Sequence, residues 1–466
     1  MNVPLLETIV APATPLGRSA LAIVRIDGPG APGILEALSG RGVPEARRAT
    51  LTPLFSVVSS QLSGSPRPGD NPQTTDNRQP TTTPDHLDDA LALYFPAPHS
   101  FTGNDLVELT LHGNPLLVER VVAACVSLGA RMAEPGEFTE RAVLNGKLDL
   151  VQAESIADLI HARTALQAKL SLSNLEGLLS RKASAIRQVL LDVISRLEAA
   201  LDFSEEGYEF ISRAEAAARI GAALQDASAL ADTYRRGRAT IGGLSAVILG
   251  RPNAGKSTLL NRLVGSDRAI VTPVPGTTRD IVRETVEIGG LPVTLADTAG
   301  LRESDDLVEG IGIERAREAA RSADLILYLI DASAGVTDED RRELAALDDV
   351  LLVYTKADLG RPSADALAIS AVTDEGIDLL LRRLDELVRD RYAAPEAALV
   401  NERQRQAVAD CTVALQAALD SLADQLDEQM VLVDLYRAAS SLGLLTGAIT
   451  REDVYREIFS KFCIGK

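Results

Sequence analysis

The chain has 466 residues, enough for about three domains of ordinary size. With 66 acidic against 47 basic residues its net charge is -19, which excludes a protein that grips nucleic acid through its average surface. Hydrophobic content of 46% permits real cores. No apolar run approaches the ~18 residues of a membrane span, and Glu7 interrupts the N-terminus where a signal peptide needs its apolar centre. A soluble, unexported, cytoplasmic protein is expected. Cys125, Cys411 and Cys463 are far apart, without the close pairing of a zinc site or disulfide framework, and His86, His99, His112 and His161 form no ligand cluster.

Taken in chain order, residues 1–145 read as a mixed α+β domain. Thr8 to Val10, Leu21 to Ile26, Ala90 to Tyr94 and Leu106 to Leu111 are β-like runs. Pro115 to Leu128 carries helical spacing through Leu117, Val118, Val121, Val122 and Cys125. Residues 63–87 are Pro, Thr, Asp and Asn with almost nothing to bury, so a disordered surface loop is expected there. Residues 146–238 become helical and alanine-rich. Ile186, Leu190, Val193, Ile194, Leu197 and Leu201 recur at three and four residues, a stripe in need of partner helices. Residues 239–394 alternate strands and helices, and 395–466 return to helix through Leu415, Leu422 and Leu426. Two helical stretches flanking an α/β insert predict one discontinuous bundle built from both. The fold class expected is therefore multidomain α/β plus α. The short run Arg235-Arg236-Gly237-Arg238 reads as a solvated helix end or linker rather than a basic patch.

The most constrained stretch is Gly250-Arg251-Pro252-Asn253-Ala254-Gly255-Lys256-Ser257-Thr258, which fits GxxxxGK[ST] at every fixed position. The apolar run Ala246 to Leu249 precedes it, and Leu259, Leu260 and Leu263 follow at helical spacing. Backbone N–H groups at a helix head cradle phosphate oxygens; Lys256 adds a point charge and the Ser257 hydroxyl can ligate magnesium. Downstream, Gly276-Thr277-Thr278-Arg279-Asp280 can present the Thr278 hydroxyl to the same metal. Asp297-Thr298-Ala299-Gly300 ends an apolar segment and brings a carboxylate and a glycine to the terminal phosphate. Val350 to Tyr354 then leads into Thr355-Lys356-Ala357-Asp358, and Ser370-Ala371 ends another short segment. A carboxylate at Asp358 can accept both the ring N–H and the exocyclic amine of guanine, a donor pair adenine lacks. Four ordered motifs predict a Ras-like phosphate-loop domain selective for GTP. GTPases usually carry Asn at position 355, whose amide contacts the base and braces the phosphate loop. Guanine selectivity is expected to survive the Thr, with affinity somewhat weakened.

Several further strings give the chain a resemblance. They are Thr8-Ile9-Val10-Ala11 with Arg25-Ile26, Ser100-Phe101-Thr102-Gly103, Pro135-Gly136-Glu137-Phe138-Thr139-Glu140-Arg141-Ala142, Asn145-Gly146-Lys147-Leu148-Asp149-Leu150, Gly312-Ile313-Glu314-Arg315-Ala316 and the terminal Phe462-Cys463-Ile464-Gly465-Lys466. Over essentially its whole length the chain resembles the tRNA-modification GTPase family MnmE (TrmE). The resemblance implies a GTPase that acts as a homodimer with a flavoprotein, MnmG (GidA), in a heterotetramer-type complex, on the C5 position of the tRNA wobble uridine. It implies that a tetrahydrofolate derivative, the 5-formyl or 5,10-methylene form, supplies the one-carbon unit. Arg25, Glu108, Lys147 and Lys466 would hold the folate in the N-terminal domain. Leu301 follows the Asp-x-x-Gly motif where many GTPases have a water-orienting Gln; the residues alone do not choose among Glu303, Asp305, Asp306 and Glu309, and the resemblance implies Glu309, twelve positions after Asp297, as the catalytic glutamate. The resemblance further implies that a potassium ion takes the place of the arginine finger, held by the phosphates, Asn253 and oxygens of the loop containing Thr272, Val274 and Thr277. Cys463 is a candidate for a part in the modification chemistry. The competing reading is a GTPase switch that assembles a ribosome or other ribonucleoprotein, with no modification.

Overall fold

A computed structural model of the chain describes residues 7–56, 85–203, 210–265, 268–270, 283–296, 320–360, 362, 366–392, 395–448, 458–460, 462 and 464–465. The chain divides into two compact units, Met1–Ala153 with Thr450–Lys466, and Glu154–Ile449.

The first unit is a six-stranded sheet with helices. In chain order it holds β1 (Ile9–Pro12), β2 (Leu21–Asp27), α1 (Ala31–Ser39), β3 (Thr50–Phe55), β4 (His86–Phe95), β5 (Leu106–His112), α2 (Pro115–Ser127), β6 (Arg131–Met132) and α3 (Glu137–Leu144). Sheet order is β3-β4-β5-β2-β1-β6. The period-two alternation of β2 sends Ala22, Val24 and Ile26 to one face, where they pack with Ile34, Leu35 and Leu38 of α1 and Val118, Val121 and Cys125 of α2. The opposite face therefore receives Leu21, Ile23 and Arg25. β4 begins at His86, so the expected loop over 63–87 ends too late. Leu87 is buried in the core, and the Ser56 amide bonds Asp85 O at 2.8 Å, which draws these residues into the sheet. Residues 63–84 lie outside the described residues. Helix α2 opens as its sequence dictates, with Asn114 accepting the Leu116 amide and Pro115 in its first turn.

The second unit begins with α4 (Leu150–His161, which starts in the first), α5 (Ala165–Leu175), α6 (Leu178–Asp202), α7 (Arg213–Ala231) and α8 (Tyr234–Gly242). Then follow β7 (Leu244–Gly250), α9 (Lys256–Val264), β8 (Arg283–Ile288), β9 (Leu291–Ala296), β10 (Leu325–Asp331), α10 (Asp338–Leu344), β11 (Val350–Thr355) and α11 (Ile377–Tyr392). The last helices are α12 (Glu402–Ala423) and α13 (Glu428–Thr446). The predicted stripe on α6 is buried from Ile186 to Leu197, each such side chain worth about 1.5–3 kcal/mol when removed from water. Only Leu201, at the helix end, is half-buried. Helix α6 packs on α7 and α13, and α12 packs on α7 and α13, so helices from both sides of the insert do form one bundle.

The insert is a five-stranded sheet of order β11-β10-β7-β9-β8, parallel except for the β8/β9 hairpin. Its core joins Ile248, Leu295, Leu327, Leu329 and Val353 of the strands to Leu259, Leu260 and Leu263 of α9 and Leu380, Leu384 and Val388 of α11. In such a sheet the loops at the carboxyl ends of the strands gather in one crevice, which is where ligands bind. The run 235–238 falls within α8, where Arg235 stacks 5.5 Å over the Tyr392 ring. Among the described residues no helix is long and apolar enough to cross a membrane.

Candidate functional site

Strand β7 ends in the GxxxxGK[ST] loop, and α9 begins at Lys256, as a phosphate site requires. Gly250 has φ +135, and a Cβ there would meet Leu329 O of the neighbouring strand at 2.4 Å, so the loop leaves the sheet only with glycine. Gly255 caps α9 with φ +87, and Asn253 also takes a left-handed φ of 63°. Helix α9 has no side-chain cap, which leaves the amides of its first turn to a ligand. Lys256 Nζ donates to Gly250 O and Arg251 O, both at 2.8 Å, so the ammonium lies across the mouth of the loop. Ala254 is buried, whereas Ser257 and Thr258 are exposed on the first turn of α9. An exposed Ser257 oxygen is a hard donor of the kind magnesium takes.

The base-side motif starts where β11 ends. Thr355 is buried, and its Oγ1 donates to Ala254 O at 2.7 Å with Ile330 O at 3.3 Å, so the hydroxyl ties the base loop to the phosphate loop. Lys356, at φ 56°, donates from Nζ to Asp331 Oδ2 at 2.6 Å. Burial alone would raise the Asp331 pKa, but Lys356 and the Ser333 hydroxyl and amide outweigh it and hold the carboxyl at about 2. Asp358 is exposed. Ser370 is buried, its amide bonded to Glu375 O at 2.8 Å, and the neighbouring Ile369 O accepts the Ala357 amide at 3.0 Å. The fold thus gathers Asn253 to Thr258, Thr355, Lys356, Asp358, Ser370 and Ala371 at the strand ends. Thr272, Val274, Thr277, Thr278, Asp297, Thr298, Ala299, Gly300 and Glu309 lie outside the described residues.

A second cluster of candidate residues lies in the first unit. Arg25 and Glu108 are directly opposite in the β2/β5 register and share the face not covered by α1 and α2. Arg25 Nε and Nη2 reach Glu108 Oε1 at 3.0 and 2.7 Å, with both side chains only 20% exposed. The guanidinium lies 5.6 Å from the Phe101 ring and 5.6 Å from the Phe138 ring. Gly465 O accepts from Arg25 Nη1 at 3.4 Å, Ile464 bridges Pro135, and a Cβ on Gly465 would meet Pro12 O at 2.0 Å. The chain end is therefore seated beside Arg25. Lys147 is exposed after α3, its amide bonded to Ala142 O at 2.8 Å. Cys463 and Lys466 lie outside the described residues. The other two thiols, Cys125 and Cys411, are buried, which pushes each up to about 12 and away from thiolate chemistry at neutral pH.

In the same unit is a buried ion pair that sequence reasoning missed. Asp27, at the end of β2, accepts from Arg141 Nη1 at 2.7 Å, Asn104 Nδ2 at 3.0 Å and the Thr102 hydroxyl. Arg141 and Asp27 are both fully buried, and Arg141 Nη2 also donates to Glu7 O at 2.8 Å. Asn145 Nδ2 completes the network through Thr102 O at 2.7 Å. Phe101, Phe138 and Asp331 were likewise missed. The β2 alternation foretells the shared face of Arg25 and Glu108, but nothing local foretells which rings close over it.

Comparison with known proteins places the chain in one family. The family model described as "GTP-binding protein TrmE N-terminus" matches residues 8–147, and that described as "MnmE helical domain" matches residues 150–463. The proteins named "tRNA modification GTPase MnmE" from Koribacter versatilis and Symbiobacterium thermophilum are 42% and 41% identical to the chain, each over 99% of both sequences. The protein of that name from Aquifex aeolicus is 38% identical over 99% of this chain and 100% of its own. The solved structure of a variant of Aquifex aeolicus Era bound to GDP.AlF4- is 26% identical over 37% of this chain and 67% of that one, with a TM-score of 0.25. With two family models matching residues 8–147 and 150–463 and relatives near 40% identity over 99% of the chain, the chain belongs to the MnmE family of tRNA modification GTPases.

Proposed function

We propose that this chain is a potassium-activated GTP hydrolase that works with the flavoprotein MnmG (GidA) on tRNA. Together they form the 5-carboxymethylaminomethyl or 5-aminomethyl-type group at C5 of the wobble uridine, using a tetrahydrofolate one-carbon unit. The observation that carries the reading is the Arg25 cluster: a guanidinium paired to a carboxylate, 5.6 Å from each of two phenyl rings, with the carbonyl of Gly465 in hydrogen-bond reach. A GTPase switch without modification chemistry has no use for such a cluster. A pterin ring can stack on Phe101 or Phe138, the Glu108 carboxylate can read its donor edge, and Lys147 and Lys466, assigned by the family resemblance, would pair the folate's own carboxylates.

The domain roles follow. Residues 1–145 bind folate and dimerise, 239–394 bind GTP, and 146–238 with 395–466 form the helical domain. Dimerisation is supported by the face that carries Arg25, where Leu21, Leu51 and Leu91 are 59%, 63% and 43% exposed, an apolar surface that a second copy would cover.

On the nucleotide side, the amides of the loop Asn253 to Thr258 and Lys256 hold the phosphates, and Ser257 and Thr278 take magnesium, with Asp297 beside it. Asn253, Thr272, Val274 and Thr277 hold potassium, whose charge would stand in for an arginine finger. Glu309 positions the attacking water. Thr298, Ala299 and Gly300 line the terminal phosphate, while Asp358, Lys356, Thr355, Ser370 and Ala371 form the base pocket. The reaction takes place in the cytoplasm.

The test is GTP turnover by the full-length protein in potassium against sodium buffer, alongside calorimetric titration with 5-formyltetrahydrofolate. A potassium-specific acceleration together with folate binding is expected, and Lys256→Ala should lower turnover by at least ~100-fold. Equal rates in both salts without folate binding would leave only an assembly-type switch.

A further inference from the structure

Thr355 stands at the position where an Asn amide would have two donors, one for the phosphate loop and one for the base. A threonine hydroxyl has one. In this chain that proton is committed: Oγ1 donates to Ala254 O at 2.7 Å, with Ile330 O the second acceptor in reach at 3.3 Å. The residue is 5% exposed, and its Cβ and Oγ1 lie 3.8 Å from where a Cβ on Gly255 would be. Turning the hydroxyl toward the base would strand the buried Ala254 carbonyl and gain a bond no better than the one lost.

Guanine N7 is an acceptor and needs a donor. The neighbouring cation does not supply one, because Lys356 Nζ is drawn to Asp331 Oδ2 at 2.6 Å, and Asp331 is itself fixed by Ser333 through its amide at 2.9 Å and its hydroxyl at 2.6 Å. The Lys356 stem is left as a platform for the ring, and the remaining side chain of the motif, Asp358, is an acceptor only.

We propose that Thr355 leaves guanine N7 unread, so that this chain selects GTP through the N1–H and N2–H edge alone. The proposal rests on the GTP-hydrolase reading above and names the part of the base that its pocket recognises. The consequence is an unusual tolerance. A nucleotide altered at N7 should bind as GTP does, while one altered at the 2-amino group should not.

The test is displacement of a fluorescent GDP analogue from the full-length protein by GTP, 7-deaza-GTP and ITP. 7-Deaza-GTP, which lacks the N7 acceptor, should bind within about twofold of GTP. ITP, which lacks the amine that a carboxylate would accept, should bind about 10- to 100-fold more weakly. Thr355→Asn adds the missing donor and should make the protein prefer GTP over 7-deaza-GTP by about threefold to tenfold. Rejection of 7-deaza-GTP by the unaltered protein by fivefold or more overturns the proposal, and this arm decides alone should the variant fail to fold. Equal binding of ITP and GTP also overturns it. Failure of GTP itself to displace the analogue would instead overturn the GTP-hydrolase reading on which it rests.

Discussion

The phosphate loop and the Arg25 cluster are both candidate binding sites, and they are held in opposite ways. The loop is a backbone object: two glycines at positive φ, a helix head, and one threonine hydroxyl tying it to the next loop. Its residues Ser257 and Thr258 are exposed. The Arg25 cluster is a side-chain object, in a unit that also buries the pair of Asp27 and Arg141, and is assembled from residues as far apart as Arg25 and Gly465, 440 positions in sequence. A site made of backbone can lose a side chain and keep its shape. A site made of buried charge cannot.

The sharpest way to break that comparison is to remove one charge from each. Arg141→Ala leaves Asp27 buried with only Thr102 and Asn104 for partners and should cost about 3–5 kcal/mol, read as a lower urea midpoint. Replacing both partners by apolar residues, Asp27→Leu with Arg141→Met, should recover most of that loss. Lys256→Ala should leave the midpoint within about 0.5 kcal/mol, since its ammonium lies at the mouth of the loop. A cost below about 1 kcal/mol for Arg141→Ala would mean that the unit does not depend on its buried pair.

A smaller effect separates the sites by function. Gly465 sits at φ +93 with Pro12 O where a Cβ would go, at 2.0 Å. Gly465→Ala must therefore lift the chain end away from Arg25, adding left-handed strain of about 1–2 kcal/mol to the clash. Affinity for 5-formyltetrahydrofolate should fall about tenfold or more in a calorimetric titration, while GTP affinity stays unchanged. Unaltered folate binding would show that the chain end is a bystander.

The same contrast explains what the sequence made legible. The loop from Gly250 to Thr258 is nine consecutive residues whose spacing is dictated by phosphate geometry, so it could be read directly, as could β7 before it and α9 after it. The α6 stripe was legible because one periodicity runs through a long helix. Helix α1 and strand β3 escaped notice because Gly30, Pro32 and Gly33 blur the first, and Pro53 breaks the alternation of the second. Asp27, Arg141, Phe101 and Phe138 look like ordinary surface charges and turn residues in sequence; only tertiary packing buries the pair and brings the rings to Arg25. The brace made by Thr355 was hidden for a different reason, since residue identity gives the number of donors but not the acceptor they choose.

The smallest effect sharpens the comparison from the loop side, at the pair of Lys356 and Asp331. Asp331→Asn removes the anchor of Lys356 and should weaken GTP binding about twofold to fivefold at neutral pH. The pair is partly exposed, with side chains 22% and 34% accessible, so its stability contribution should stay below about 1 kcal/mol. The sign of its pH dependence is fixed. The folded carboxyl titrates at about 2, below its usual 3.8, so the contribution is fully present above the usual value and is lost as pH falls from there toward 2. The variant should accordingly lose less stability than the parent over that acid window and match it in slope above it. An identical acid slope in both proteins would mean that Lys356 holds its place without Asp331, and that the base loop, like the phosphate loop, is positioned by its backbone alone.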